Sequence, residues 1–241
     1  MRLKDKVAIV VGAGQTPGDT IGNGRATALL FAREGASVVL VDCDPSSVME
    51  TKEFIETEGG TCVTVEADIT RSADCEAFAC AAVKEFGRID ILHNNVGIGV
   101  SDDEMIRLSE DSWDRIMRVN LKGMFLSSRS VLPAMREQLG GVIINISSIA
   151  AVCSTSIVAY KISKAGVNAL THQLAIENAK YNIRANAIMP GLMNTPMAIE
   201  SISRFRGVPK EDLVRQRDAS VPLGSKMGTA WDVAYAALFL A

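Results

Sequence analysis

The 241-residue sequence predicts an α/β chain built as a doubly wound parallel sheet with helices on both faces. Three observations carry that expectation. Short continuous apolar runs recur, each the length of a strand buried on both faces. Stretches of helical spacing, most of them stopped by glycine, separate these runs. The connections are brief, as in successive βαβ units.

Residues 7–11, all Val, Ala or Ile, form the first strand. A long turn containing Gly12, Gly14, Gly22, Asn23 and Gly24 follows, then a helix over 25–34 stopped by Gly35. A strand, a glycine turn and a helix amino end make an anion site, because unpaired N–H groups face a phosphate that glycine lets approach closely. Taken alone, the turn reads equally well as a flexible βα loop. The second strand, 37–41, runs into Asp42, about 18 residues beyond Gly24 and close to the place of an acidic ribose ligand. Asp44, just before Pro45, suits the cap of a helix over 46–58.

The alternation continues with a strand over 61–65, a loop holding Asp68 and Ile69, a helix over 72–86 and a strand over 89–92. Asn94, Asn95, Val96 and Gly97 then form a polar turn where the winding order is expected to reverse and open a crevice. Residues 108–135 hold a long helical pattern interrupted in character by Asn120, a mediocre helix former. Asn120 reads either as a solvated side chain or as a break that holds a water.

A strand over 142–146 delivers Ser147 and Ser148 to a loop, and the next helix presents Tyr160 and Lys164 one turn apart on one face. A free phenol, with a pKa of about 10, is a poor base at neutral pH, whereas a nearby ammonium favours the phenolate. Tyr160 thereby becomes a candidate acid/base, with Ser148 and Lys164 beside it. A sixth strand over 183–189 meets Pro190 and Gly191. Residues 192–228, including Thr195, loosen into a segment expected to act as a substrate lid, and Thr229 caps a last helix. A single domain over 1–241 is expected.

Composition narrows the function classes. A formal net charge of −3 offers no basic excess for phosphate backbones, so nucleic acid is not an expected partner. The apolar runs are far shorter than the ~20 residues of a membrane span, and no signal segment opens the chain, so a cytoplasmic location is expected. Five cysteines without paired short spacings read as reduced thiols. His93 and His172 alone supply neither a metal site nor a Ser-His-Asp triad, and both read as structural.

Together these pieces make the sequence similar to the short-chain dehydrogenase/reductase family over nearly its whole length: the glycine turn 12–24, Asp42, Asp68-Ile69, Asn94-Asn95-Val96-Gly97, Asn120, Ile146-Ser147-Ser148, Tyr160 with Lys164, and the run from Pro190 to Thr195. The resemblance implies a Rossmann fold and hydride exchange between NAD and a secondary alcohol or ketone. It implies that Tyr160 moves the hydroxyl proton and that Ser148 fixes the substrate oxygen. Lys164 would lower the tyrosine pKa and hold the nicotinamide ribose, and Asn120 would keep a water linking Lys164 to solvent. The implied cofactor contacts are Gly12, Gly14, Gly22, Asn23, Gly24, Asp42, Cys43, Asp68, Ile69, Asn95, Val96, Gly97, Tyr160, Lys164, Pro190, Gly191 and Thr195. No metal is implied. A homotetramer or dimer through the helices near 103–135 and 157–180 is also implied.

Three departures stand out. The glycine turn is longer than the family's by about six residues, and the insert is expected to lie across the adenosine side of the cofactor. Tyr160 stands thirteen residues after Ser147, the family's spacing, and twelve after Ser148. Ser148 is preferred on the wording of the Ile-Ser-Ser motif, with a deletion in the loop after it. A seventh strand found in relatives is expected to be missing from this chain.

NAD is favoured over NADP because the 2′-phosphate would sit beside Asp42, with Asp44 close behind and no Lys or Arg between Val41 and Val48. Two unit charges about 4 Å apart repel by roughly 4 kcal/mol at an effective dielectric near 20. The rival readings are an NADPH-dependent ketoacyl or quinone reductase on the same fold and a non-catalytic dinucleotide-binding regulator. Val96, Ile98, Ala150, Val152, Cys153, Leu192 and Met193 suggest a largely apolar small-molecule alcohol or ketone.

Overall fold

The computed structural model describes residues 1–153 and 155–241. Its main sheet has six parallel strands, β1 (Val7–Val11), β2 (Ser37–Asp42), β3 (Thr61–Glu66), β4 (Ile91–Asn94), β5 (Gly141–Ile146) and β6 (Ile183–Ile188), in the spatial order β3-β2-β1-β4-β5-β6. The order reverses between β1 and β4. The crevice at that switch point lies at the carboxyl ends of these two strands, where open α/β sheets bind ligands.

Burial on both faces follows from the strand sequences. In β1, Ala8 and Val10 enter one apolar cluster and Val7, Ile9 and Val11 the other, as a two-residue period requires. The first cluster is closed by α1 (Asn23–Arg33), α2 (Pro45–Thr57) and α9 (Ala230–Leu240). On the opposite face lie α3 (Ser72–Phe86), α5 (Gly123–Glu137) and α6 (Val158–Asn178).

Several boundaries differ from the sequence expectation for visible reasons. The fourth strand starts at Ile91 instead of residue 89, because the Val7 N–H donates to the Asp90 side chain at 2.9 Å and Ile89 is held by Gln138 outside the ladder. It extends to Asn94, whose amide is bonded to Asn145 and Ser128 and stays in register. The long helix begins at α4 (Glu110–Met117), capped by Ser109, and passes through a π turn, Arg118–Lys122, into α5. Asn120 lies in that π turn and is fully buried. It is a break, not a solvated side chain.

The segment 192–228 is more ordered than its composition suggests. It holds β7 (Met193–Asn194), a π turn (Met197–Ser201), α7 (Ile202–Arg206) and α8 (Lys210–Ala219). β7 then pairs with β8 (Gly228–Thr229), so both ends of the segment are fastened together. Asp44 caps α2 and Thr229 forms a capping box with Asp232, as the sequence suggests. Among the described residues, no helix is long and apolar enough to cross a membrane.

Candidate active site

At the crevice the glycine turn is shaped by steric necessity. Gly12 has φ +81°, and its N–H donates to Val41 O at 2.8 Å. A Cβ on Gly24 would fall 1.8 Å from the Gly12 carbonyl oxygen, so only glycine lets α1 start against the turn. No side chain caps α1. Its first-turn N–H groups are therefore available to an anion. Beside them, Asn23 Oδ1 is buried without a hydrogen-bond partner.

Asp42 closes the other side of this turn. Its Oδ2 accepts from Gly14 N at 2.9 Å and its Oδ1 from Asp44 N at 3.1 Å, which leaves each oxygen further capacity for a ribose hydroxyl. Gly14 is thus needed for the approach of turn to strand, since a Cβ there would stand 2.7 Å from Ser47 Oγ. Exposed Cys43 follows, its thiol pushed up by burial and then by Asp42, and so protonated at neutral pH.

Arg25, the nearest cation in the turn, is buried and turned into α2. It donates to Thr51 Oγ1 at 2.9 Å, to Ser47 O at 3.0 Å and to Glu50 Oε2 at 2.7 Å. The base of the insert contacts Ser47 near Asp42, and its tip packs on the 196–210 segment: Lys210 Nζ lies 2.7 Å from Glu200 and 3.5 Å from Asp19, and a Cβ on Gly18 would meet Glu200 and Pro196.

The remaining cofactor candidates divide. Asn95 donates from Nδ2 to Gly12 O at 3.3 Å, and Val96 packs against Gly12. Asp68 Oδ1 accepts from Thr70 N at 2.9 Å, which shapes the loop after β3. The Ile69 side chain is buried against Gly123 in the core, which leaves its main chain as the part able to meet a ligand. Pro190 O accepts from Ile149 N at 3.0 Å and so joins the end of β6 to the serine loop, while a Cβ on Gly191 would meet nothing. Thr195 is buried where the 197–201 π turn begins.

The structure brings Ser148, Tyr160, Lys164 and Asn120 together. Tyr160 is half-buried at the start of α6, and the Ser148 side chain lies on its hydroxyl side and lowers the phenol pKa. Ser147, by contrast, donates to Lys164 O at 3.0 Å inside the fold. Lys164 Nζ lies 5.7 Å from the Tyr160 ring centroid and donates to Ile146 O at 2.7 Å. Asn120 donates to Ile98 O at 2.9 Å and to Ser163 Oγ at 3.0 Å, and accepts from Ile98 N at 2.8 Å.

The electrostatics depart from the sequence expectation. Burial raises the Tyr160 pKa above its ordinary value, with the Ser148 side chain opposing, and burial pushes Lys164 down to about 7. A fixed ammonium beside a phenolate is therefore not preformed. Both ions are disfavoured by the same desolvation, a tertiary effect that spacing along a helix does not reveal.

Two polar arrangements escaped the sequence reading. Asn94, expected in a polar turn, instead ends β4 and shares a 2.8 Å hydrogen bond with Asn145 beneath the site, tied to Ser127, Ser128 and Thr171. Asp102 accepts from the first N–H groups of α6. A polar residue at the end of an apolar strand could have signalled the first set. His93 is buried in β4 and His172 is exposed on α6. Among the described residues no His, Cys, Asp and Glu cluster could hold a metal, and all five cysteines are free.

The family model described as Enoyl-(Acyl carrier protein) reductase matches residues 19–241. A crystal structure described as a short-chain dehydrogenase/reductase from Burkholderia xenovorans aligns with a TM-score of 0.93 and 41% identity, covering 100% of this chain and 90% of that one. NAD+-bound xylitol dehydrogenase aligns with a TM-score of 0.90 and 28% identity, over 100% of this chain and 93% of that one. The 3-oxoacyl-[acyl-carrier-protein] reductase FabG of Thermotoga maritima is 35% identical over 100% of this chain and 92% of its own length.

Proposed function

The chain belongs to the short-chain dehydrogenase/reductase family, and from that premise we propose that this oxidoreductase exchanges hydride between NAD and a secondary alcohol or ketone. The observation that carries the reading is the Tyr160 phenol with Lys164 Nζ 5.7 Å from its ring and Ser148 lowering its pKa from the other side. The family's cofactor is a nicotinamide dinucleotide, and the residues present fit one. Gly12 and Gly24 clear the approach to an uncapped α1, and Asn23 Oδ1 lies beside it without a partner. Asp42 and Cys43 would take the adenosine ribose, and Asp68, Ile69, Asn95 and Val96 would bound the adenine. Gly97, Lys164, Pro190, Gly191 and Thr195 would surround the nicotinamide end.

The nicotinamide ring, when bound, supplies the hydride acceptor or donor. The chain does the proton chemistry. Tyr160 takes the alcohol proton during oxidation and returns it during reduction, while Ser148 holds the substrate oxygen within reach of the phenol. Lys164, near 7, changes charge in the working range and stabilises the phenolate when protonated. The Asn120 side chain is fully engaged by Ile98 and Ser163, so a water serving Lys164 would be held by the main chain of the π turn.

NAD is the proposed form because Asp42, at the end of β2 beside the glycine turn, would meet the adenosine ribose, and Arg25 is already paired with Glu50. A 2′-hydroxyl can donate to Asp42, whereas a phosphate would be repelled. The similarity to FabG supports a second reading, reduction of a 3-oxoacyl substrate with NADPH. A silent dinucleotide sensor is disfavoured, since it has no need of a buried phenol facing a serine and a lysine. Residues 192–228 are proposed as a lid over a largely apolar alcohol. Phe125 and Ile162, each more than a third exposed on α5 and α6, support self-association, which light scattering would reject by finding a monomer at every concentration.

Following NADH absorbance with a panel of secondary alcohols tests the reading. Turnover with NAD is expected. Turnover confined to NADPH and a 3-oxoacyl thioester would favour the second reading, and cofactor binding without turnover would favour a sensor.

A further inference from the structure

The loop that leaves β4 runs as a strap along the reacting groups. A Cβ on Gly97 would lie 3.0 Å from Lys164 Nζ, and Ile98 binds Asn120 through both its N–H and its carbonyl. A Cβ on Gly99 would lie 3.2 Å from the Tyr160 ring. Ser101 then takes φ +70°, a left-handed conformation that a serine adopts only when its surroundings impose it. Asp102 ends the strap with a carboxylate only 6% exposed.

That carboxylate caps a helix that starts more than fifty residues later. Its Oδ1 accepts from Val158 N and Ala159 N, each at 3.1 Å, and its Oδ2 accepts from Tyr160 N at 2.6 Å. α6 has no side-chain cap of its own from the residue preceding it. The amino end of the helix that carries Tyr160 and Lys164 is therefore fixed by a residue of the strap, with the shortest bond made to the tyrosine itself.

We propose that Asp102 is a positioning residue for Tyr160: it sets the height of the phenol against Ser148 and places a negative charge at the head of α6. The proposal rests on the assignment of Tyr160 as the proton carrier. The charge acts in a definite direction. The amino end of a helix favours anions, and a carboxylate there offsets that field, so it holds the phenol toward its protonated form. The other groups facing Tyr160 are Lys164 and Ser148. Lys161 on α6 is turned to the carbonyls of Ala150 and Cys153, and Asp103 and Glu104, just beyond the strap, are paired with Arg107.

Asp102→Asn separates positioning from capping. Its Oδ1 keeps the bonds to Val158 and Ala159, while its Nδ2 places a donor against the Tyr160 N–H and the charge is gone. The full chain, parent and variant, is compared by thermal unfolding, by kcat and KM with NAD and an alcohol, and by ultraviolet titration of the phenolate. Tyr160 is identified in the titration by difference against Tyr160→Phe.

Asp102→Asn is expected to unfold somewhat below the parent, because the amide donor faces the Tyr160 N–H, to keep its alcohol KM, to lose about tenfold in kcat, and to titrate Tyr160 at least about half a pH unit lower. Asp102→Ala, which loses the cap as well, should lose about 100-fold in kcat where it folds. An unchanged Tyr160 titration in Asp102→Asn overturns the proposal, whatever the stability of the alanine variant. A parent that oxidises no alcohol would sink the assigned function, while the titration still decides the part played by Asp102.

Discussion

Asp42 Oδ2 accepts from Gly14 N at 2.9 Å, so the carboxylate proposed to take the adenosine ribose also fastens the glycine turn to β2. Asp42→Ala should therefore change two things at once. The preference for NAD over NADP in kcat/KM should narrow by about tenfold or more as the repulsion is lifted. The unfolding free energy should also fall, by the worth of a charge-assisted hydrogen bond, roughly 1.5–3 kcal/mol. Steady-state kinetics with both cofactors checks the first, and a parent that prefers NADP refutes the assignment.

The two serines should separate cleanly. Ser148→Ala removes the hydroxyl proposed to hold the substrate oxygen and should cost about 100-fold in kcat. Because Ser148 lowers the phenol pKa, its loss should also move the activity limb to higher pH. Ser147→Ala leaves Lys164 O short of one donor and should cost about 1 kcal/mol of stability with kcat within threefold. The opposite ranking in kcat would assign the substrate oxygen to Ser147.

Burial holds the Tyr160 pKa above its ordinary value. Alcohol oxidation needs the deprotonated phenol, so its kcat/KM should rise with pH through and beyond neutrality, whereas ketone reduction should fall along the same limb. Rate profiles in both directions with one alcohol and ketone pair check this. An oxidation rate that declines from neutral to alkaline pH, in a fully folded enzyme, would contradict it.

His93 is fully buried in β4, with neither ring nitrogen bonded, and burial pushes its pKa down to about 3 from 6.5. The folded state therefore binds fewer protons than the unfolded state between these values. The stability linked to His93 is fully present above the unfolded value and is lost as pH falls from about 6.5 toward 3, by several kcal/mol in all. His93→Leu should flatten this acid limb. Thermal unfolding of parent and variant from neutral to acid pH isolates the effect from the carboxylates, and parallel curves would contradict it.

Much of this architecture is legible in the sequence because its causes are local. Apolar runs such as 37–41 have the strand period written into them, and the Asp44 cap, the Thr229 cap and the spacing of Tyr160 and Lys164 depend on neighbours only a few residues away. What the sequence hides is long-range. Asp102 reaches α6 across 58 residues to Tyr160 N, and the tip of the glycine-turn insert meets Glu200 and Lys210. Burial also acts against the charge on both Tyr160 and Lys164. Spacing gives proximity, but only the packed fold sets the dielectric around it.

The most direct test of the account is NADH formation from a secondary alcohol by Tyr160→Phe beside the parent, with NADH binding followed by fluorescence. The substitution removes the hydroxyl and almost no volume. The account predicts that turnover falls by at least about 1000-fold, with the NADH dissociation constant within threefold of the parent. Turnover within tenfold of the parent would contradict the assignment of Tyr160 as the proton carrier.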